Sequence, residues 1–274
     1  MLEKDRKLLV SAVEDAAIVA RSFFFSGEVE SWEKSPDNPV SEADLAVNAL
    51  LRERLMSARP DYGWLSEETK DNADRLARKR VWIVDPIDGT RDFLRGRTGW
   101  AVSVALVEDG IPLLGVLAAP ARSQFFIAEA GQGVWLNEHR IEISGCDNIE
   151  HCRLPGDPAT IAAKWWPEPW GPLTVEKPNG LALRIAKVAS DEADAFFEGR
   201  PMGEWDIAAA ALILTESGGV ISDRDGSPLR FNKPEPKLQG VVAAPRQLHG
   251  EVVRRVRNGI VALQALRATR AQQS

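Results

Sequence analysis

The hexapeptide Asp85-Pro86-Ile87-Asp88-Gly89-Thr90 places two carboxylates, a stiff turn and a hydroxyl directly behind the apolar run Val81-Trp82-Ile83-Val84. That β-branched and aromatic run predicts a buried strand with the acids at its end. Pro86 restricts φ and has no N–H, so both Asp side chains and the Ile87 carbonyl can face one point. Three hard oxygens on a rigid turn suit Mg²⁺. Gly89-Thr90 predicts a short helix whose free N–H groups would hold an anion beside the cation. Ordinary surface turns use the same residue types, so the hexapeptide does not decide the matter alone.

Two further acidic stations join it. In Trp64-Leu65-Ser66-Glu67-Glu68-Thr69, paired glutamates repel each other unless a cation or solvent relieves them. Downstream, Gly203-Glu204-Trp205-Asp206 precedes the run 207–214, a predicted buried helix closed by Gly218-Gly219. Asp206 is then either a metal ligand or the N-cap of that helix.

In this order and spacing the three elements resemble the inositol monophosphatase superfamily of Mg²⁺-dependent, lithium-sensitive phosphatases. The resemblance covers most of the chain and extends to Asn137, Ile141 and Ser41-Glu42-Ala43-Asp44, the last similar to the family's Thr-x-x-Asp element. It implies an α/β (α+β) fold layered αβαβα, with an antiparallel-sheet lobe (1–145) followed by a smaller α/β lobe (146–274). It also implies that Glu67, Asp85 and the Ile87 carbonyl hold one Mg²⁺ and that Asp85, Asp88 and Asp206 hold a second. A third, weaker site would use Asp44, although Ser41-x-x-Asp44 is equally the outline of a capping box. Glu67, Thr90 and Asp44 are the implied catalytic set, and Ile87, Asp88, Gly89, Thr90 and Asp206 would meet the phosphate. A homodimer is implied as well, and nine tryptophans in a chain with one tyrosine suit an aromatic interface.

Substrate choice is less sharply written. The wording Tyr62 to Thr69 and Gly199-Arg200-Pro201-Met202-Gly203-Glu204-Trp205-Asp206 looks closest to bacterial 3′(2′),5′-bisphosphate nucleotidases, so 3′-phosphoadenosine 5′-phosphate is the expected ester. Arg200, with Lys177 and Arg184, would pair with the phosphate that is not cleaved. Inositol 1-phosphate, histidinol phosphate or a sugar phosphate is the alternative, with Glu198 the nearest acid for sugar hydroxyls. A role in binding transcription machinery is the non-enzymatic alternative. Where many relatives carry Gly-Ser before the second-lobe helix, this chain has Asn179-Gly180.

The 274 residues carry a net charge of −6 and a pI near 5.3, which argues against a nucleic-acid surface. No apolar run reaches membrane-spanning length, the amino end is charged, and two cysteines are too few for a disulfide framework. A cytoplasmic protein with free thiols at Cys146 and Cys152 is expected. The three histidines lie in unrelated segments, which excludes zinc and Ser-His-Asp chemistry.

The elements that must position these groups follow from periodicity. Helices are predicted at 2–24 and 42–56 around a loop at 35–39, then an antiparallel meander with strands at 101–107, 111–119, 124–128 and 133–136. Beyond a seam at 144–158 come a helix carrying Trp165 and Trp166, a helix at 181–188 and a strand at 193–197. The Asp206 helix, a strand pair around Asp225-Gly226, a strand at 241–244 and a final amphipathic helix complete the chain. Trp165, Trp166 and Trp170 either pack the lobe or line a ligand face, and packing is the commoner use. Arg254, Arg255 and Arg257 read as the solvated side of the last helix.

Overall fold

Residues 2–36, 38–171 and 174–273 are described by the structure, a computed structural model, so Asp37 of the expected 35–39 loop lies outside the described residues. Helix α1 (Leu2–Ser26) leads into a hairpin of β1 (Ser31–Ser35) and β2 (Asn38–Ser41), then α2 (Glu42–Ala58). The hairpin corrects the expected loop. Its first strand is wholly exposed, so no apolar alternation announced it, and Pro39 is tolerated because the ribbon has only two strands.

A seven-stranded sheet follows in chain order: β3 (Gly63–Ser66), β4 (Arg80–Asp88), β5 (Ala101–Glu108), β6 (Ile111–Ala119), β7 (Gln124–Glu129), β8 (Gly133–Leu136) and β9 (His139–Ile141). All neighbours are antiparallel except β3 and β4, which run parallel. Both faces are covered. Trp82, Val84, Val102, Val104 and Leu106 pack under α1 and α2, while Val81, Ile83, Ala101, Ala105 and Val107 point to the opposite core. Strands buried on both faces read as unbroken apolar runs, which is why 81–84 and 101–107 were legible.

Helix α3 (Thr90–Leu94) follows β4 as expected. The predicted helix carrying Trp165 and Trp166 is absent: α4 (Pro158–Ile161) is capped by Asp157 and ends before them. The cause lies in Pro167 and Pro169, which hold the residues before them out of helical geometry. Helices α5 (Leu181–Ala189) and α6 (Ala208–Glu216) cover the second face of the large sheet. On them lies a three-stranded antiparallel sheet in the order β10 (Phe196–Gly203), β12 (Lys237–Pro245), β11 (Gly219–Ser222). Helix α7 (Arg246–Gln273) closes the far side through Leu248, Val252 and Val256. The architecture is αβαβα, with three apolar cores filling the gaps between layers.

Two strand predictions shift. The strand expected at 193–197 begins at Phe196 and runs through a bulge to Gly203. Around Asp225-Gly226 there is a turn, its Asp223 carboxylate accepting from the Asp225 and Ser227 amides, but no strand pair. The tryptophans are also redistributed: Trp82, Trp100, Trp166 and Trp170 are buried, and Trp32 alone among the nine is exposed. Their number therefore reflects core packing rather than an aromatic surface. No helix among the described residues is long and apolar enough to cross a membrane.

The layers touch most closely where β6 passes α6. A Cβ at Gly115 would stand 2.9 Å from the Ala209 carbonyl oxygen. Gly115→Val is accordingly expected to destabilise the protein by roughly 1–3 kcal/mol through overpacking. Thermal unfolding followed by circular dichroism measures this, and an unchanged midpoint would mean that this contact does not set the layer spacing.

Candidate active site

The acids of the hexapeptide are aimed by an irregularity in the sheet. Asp85 pairs with Ser103 and Asp88 with Ala101, so two residues of β4 oppose one of β5 between them. Such a bulge bends the strand and re-aims its side chains. Glu67 arrives at the same sheet end because β3 runs parallel to β4, and the Glu67 amide donates to the Val84 carbonyl at 3.2 Å. Behind it, the Ser66 hydroxyl donates to Asn48 Oδ1 of α2 at 2.7 Å.

Asp206 comes from the second sheet's side. Ile207, not Asp206, is the N-cap of α6, which corrects the capping alternative. The Asp206 carboxylate instead accepts from the Gly203 amide at 2.8 Å and lies within hydrogen-bonding reach of Asp85. Carboxylate oxygens of Glu67, Asp85 and Asp206 all fall within 4.8 Å of one another. Oxygens at that range repel by on the order of 3 kcal/mol per pair at an effective dielectric near 20. Burial and mutual repulsion hold the Asp85 and Asp206 carboxyls well above the usual carboxylate range. Asp85 Oδ1 is buried with no hydrogen-bond partner among the described residues.

Asp88 lines the same cleft but stands outside this triad. Its two oxygens accept from the Leu181 and Ala182 amides at 2.9 and 2.8 Å, the free N–H groups at the start of α5, and burial raises its pKa to about 7. Gly180 is required for that approach, since a Cβ there would stand 2.7 Å from Asp88 Oδ2. The Asn179-Gly180 departure therefore keeps a residue without a side chain where the acid meets the helix.

Asp44 takes the capping role read for it and also meets Thr90. Its Oδ2 accepts from the Ser41 amide at 2.9 Å and the Ser41 hydroxyl at 2.5 Å, closing a capping box on α2. Its Oδ1 receives the Thr90 hydroxyl at 3.1 Å, which also lies 3.1 Å from the Ile87 carbonyl. Burial lifts the Asp44 pKa to about 6.

The acids open into a cleft of about 160 Å³ lined also by Asn38, Pro39, Gly89, Thr90, Asn179 and Leu181. Arg200 is not there: it is exposed and paired with Glu198 at 3.0 Å, while Arg184 donates to the carbonyls of Pro178 and Asn179 behind the cleft wall.

The chain matches the Inositol monophosphatase family over residues 1–260. It belongs to that family. It is 33% identical to the inositol-1-monophosphatase of Mesorhizobium japonicum over 80% of this chain and 85% of that one. It is 29% identical to the histidinol-phosphatase of Mycobacterium tuberculosis over 94% of this chain and 100% of that one. An IMPase of Thermotoga maritima, solved structurally, superposes with a TM-score of 0.79 at 26% identity, covering 95% of this chain and 98% of that one. The protein is thus a phosphomonoesterase of the inositol monophosphatase family, a family that depends on Mg²⁺, and the orphaned Asp85 oxygen amid acidic neighbours fits such a cation.

Sequence reasoning missed Lys34. From exposed β1 its ammonium reaches Glu67 at 2.9 Å and Glu68 at 2.6 Å. Only the tertiary pairing of a hairpin with a strand end reveals it. Because Lys34 occupies oxygens that a cation would share, Lys34→Met is expected to lower the Mg²⁺ concentration for half-maximal activity severalfold, read from metal titrations of phosphate release. An unchanged or higher concentration would mean that Lys34 does not compete with the metal. Asp206→Asn keeps the acceptor for Gly203 but removes a charge, so activity is expected to fall by at least about a hundredfold with no loss of thermal stability. Near-parental turnover would remove Asp206 from the metal set.

Proposed function

We propose that this chain hydrolyses a small phosphate monoester by direct attack of water, with 3′-phosphoadenosine 5′-phosphate as the preferred ester. The observation that carries the hydrolytic reading is the convergence of Glu67, Asp85 and Asp206 beside the Thr90–Asp44 pair. Glu67, Asp85 and the Ile87 carbonyl would hold one Mg²⁺, Asp85, Asp88 and Asp206 a second, and Asp44 would serve a third, weaker site. When bound, the cations supply positive charge to the phosphate oxygens and acidify a water molecule.

The chain's own groups do the rest. Thr90 Oγ1 accepts a proton from the attacking water and passes its own to Asp44 Oδ1, whose pKa near 6 suits a base at neutral pH. Glu67 orients that water from the opposite wall. Asp206 faces the leaving oxygen, and the Gly89 and Thr90 amides, at the start of α3, meet the phosphate. No covalent phosphoenzyme is needed.

The nucleotide preference rests on the wording of the 62–69 and 199–206 segments, since Lys177, Arg184 and Arg200 stand on the far side of the Pro178-Asn179 wall from the acids. A second reading, inositol 1-phosphate, is favoured by Glu198, a carboxylate held near Arg184 and available to sugar hydroxyls, and by the name of the Mesorhizobium relative. A role in binding transcription machinery is favoured by the name of another relative, the Nus factor SuhB of Xylella fastidiosa, 32% identical over 71% of this chain and 72% of that one, whereas the acidic cluster speaks for hydrolysis. The free thiols of Cys146 and Cys152 suit a reducing cytoplasm, and the homodimer rests on the family alone.

Phosphate release from purified protein decides among these. Activity is expected to require Mg²⁺, to vanish with a chelator and to be inhibited by Li⁺. The bisphosphate nucleotide is expected to show a higher kcat/KM than inositol 1-phosphate or histidinol phosphate. The reverse order would replace the nucleotide by the polyol reading, and activity surviving chelation would overturn the metal-dependent mechanism.

A further inference from the structure

A cavity larger than the acidic cleft lies elsewhere in the described residues. About 750 Å³ in volume, it lies between the 154–166 segment, β10 and α7, and shares no lining residue with the catalytic cleft. That size falls within the ~300–1,000 Å³ typical of pockets for small organic ligands, whereas the acidic cleft measures about 160 Å³.

Its lining is divided by chemistry. One side is aromatic and aliphatic: Trp165, Trp166, Phe197, Ile260 and Leu263. The floor is built to stay in place, with Trp165 stacked on Trp166 at 4.2 Å, Trp166 edge-on to Phe197 at 5.5 Å, and the Trp166 indole N–H donating to the Thr160 carbonyl at 2.8 Å. The other side is cationic. Arg184 is buried and directed at backbone carbonyls, Arg200 is paired with Glu198, and Lys177 makes no hydrogen bond or ion pair among the described residues. Lys177 and the two arginines share this end of the lining with the carboxylates of Asp157 and Glu198, so a cavity with a rigid aromatic floor carries three cations against two acids there.

We infer that this cavity is a second ligand site, taking a molecule with a planar aromatic ring and one anionic group. The ring lies against the Trp165 to Phe197 floor, and the anion meets Lys177 and Arg184. Arg184 is also the partition between the two cavities, because its guanidinium holds the carbonyls of Pro178 and Asn179 while Asn179 lines the catalytic cleft. Two sources offer this chemistry: the leaving-group half of a nucleotide substrate, or a separate aromatic anion. The site itself does not depend on the nucleotide reading, since binding is measured without turnover.

The probe is 8-anilinonaphthalene-1-sulfonate, an aromatic sulfonate, followed by fluorescence titration of the full chain. One molecule per chain is expected to bind. Affinity should fall at least tenfold in Ile260→Trp, which fills the apolar end, and in Lys177→Glu, which reverses the unpaired charge. Val261→Trp, on the exposed face of the same helix and outside the cavity, should bind as the parent does. Lys177 lies at the surface, so Lys177→Glu tests the site even if the Ile260 variant is destabilised. No stoichiometric binding, or equal affinity in Lys177→Glu and the parent, would overturn the inference. In the Asp206→Asn background, displacement of the probe by 3′-phosphoadenosine 5′-phosphate but not by inorganic phosphate assigns the cavity to the substrate's leaving group. Displacement by neither assigns it to a separate ligand of the same chemistry.

Discussion

Mutual repulsion among carboxylates drawn out of water is the constraint on which the rest of this structure depends. Glu67, Asp85 and Asp206 come from three different elements, and each would separate from the others if its backbone were free. They are held together by a bulge in β4, a parallel pairing of β3 with β4, and a helix start set against the second face of the sheet. Those features are in turn locked by the apolar cores between layers, where a displaced strand would expose several fully buried side chains. The fold thus supplies the energy that keeps an anionic crevice assembled, and the crevice returns its cost when a divalent cation enters it.

The groups surrounding this crevice are arranged by backbone amides as much as by side chains. Asp88 is fixed by the first amides of α5, Asp44 by the capping box of α2, and Asp206 by Gly203. In each case a structural hydrogen bond orients an acid, and for Asp44 the capping box leaves Oδ1 turned to Thr90. Asp92 extends the same logic one layer out. Its Oδ2 accepts from the Asn179 amide at 2.9 Å while Arg184 holds the Asn179 carbonyl, so the wall between the two cavities is gripped from both sides.

The candidate site was legible because its residue types are costly elsewhere. A proline between two acids at the end of a doubly buried strand, and a second acid before an alanine-rich helix, leave few structural uses, and the strand and helix were themselves announced by long apolar runs. Elements with weaker burial were misread for a matching reason. The exposed β1 has no alternation, the Trp165-Trp166 stretch has helical apolar content but prolines that forbid the helix, and after the Asp225-Gly226 turn the chain forms no strand until β12, which returns to pair with β11.

By itself, then, the sequence determined most of the helices and strands, the three acidic stations and the Thr90 hydroxyl, because each is encoded in local periodicity or in residues adjacent along the chain, and the layer order followed from the family that those motifs resemble. Only the tertiary structure decided that Asp88 turns to the amides of α5, that Asp206 leaves the cap of α6 to Ile207, and that Arg200 pairs with Glu198 away from the acids. It alone brought Lys34 to Glu67, thirty-three residues onward, and gathered the cations and tryptophans around a separate cavity. The physical reason is direction: residue type and spacing state which groups a chain owns, whereas the side a strand end or helix start presents depends on what packs against it.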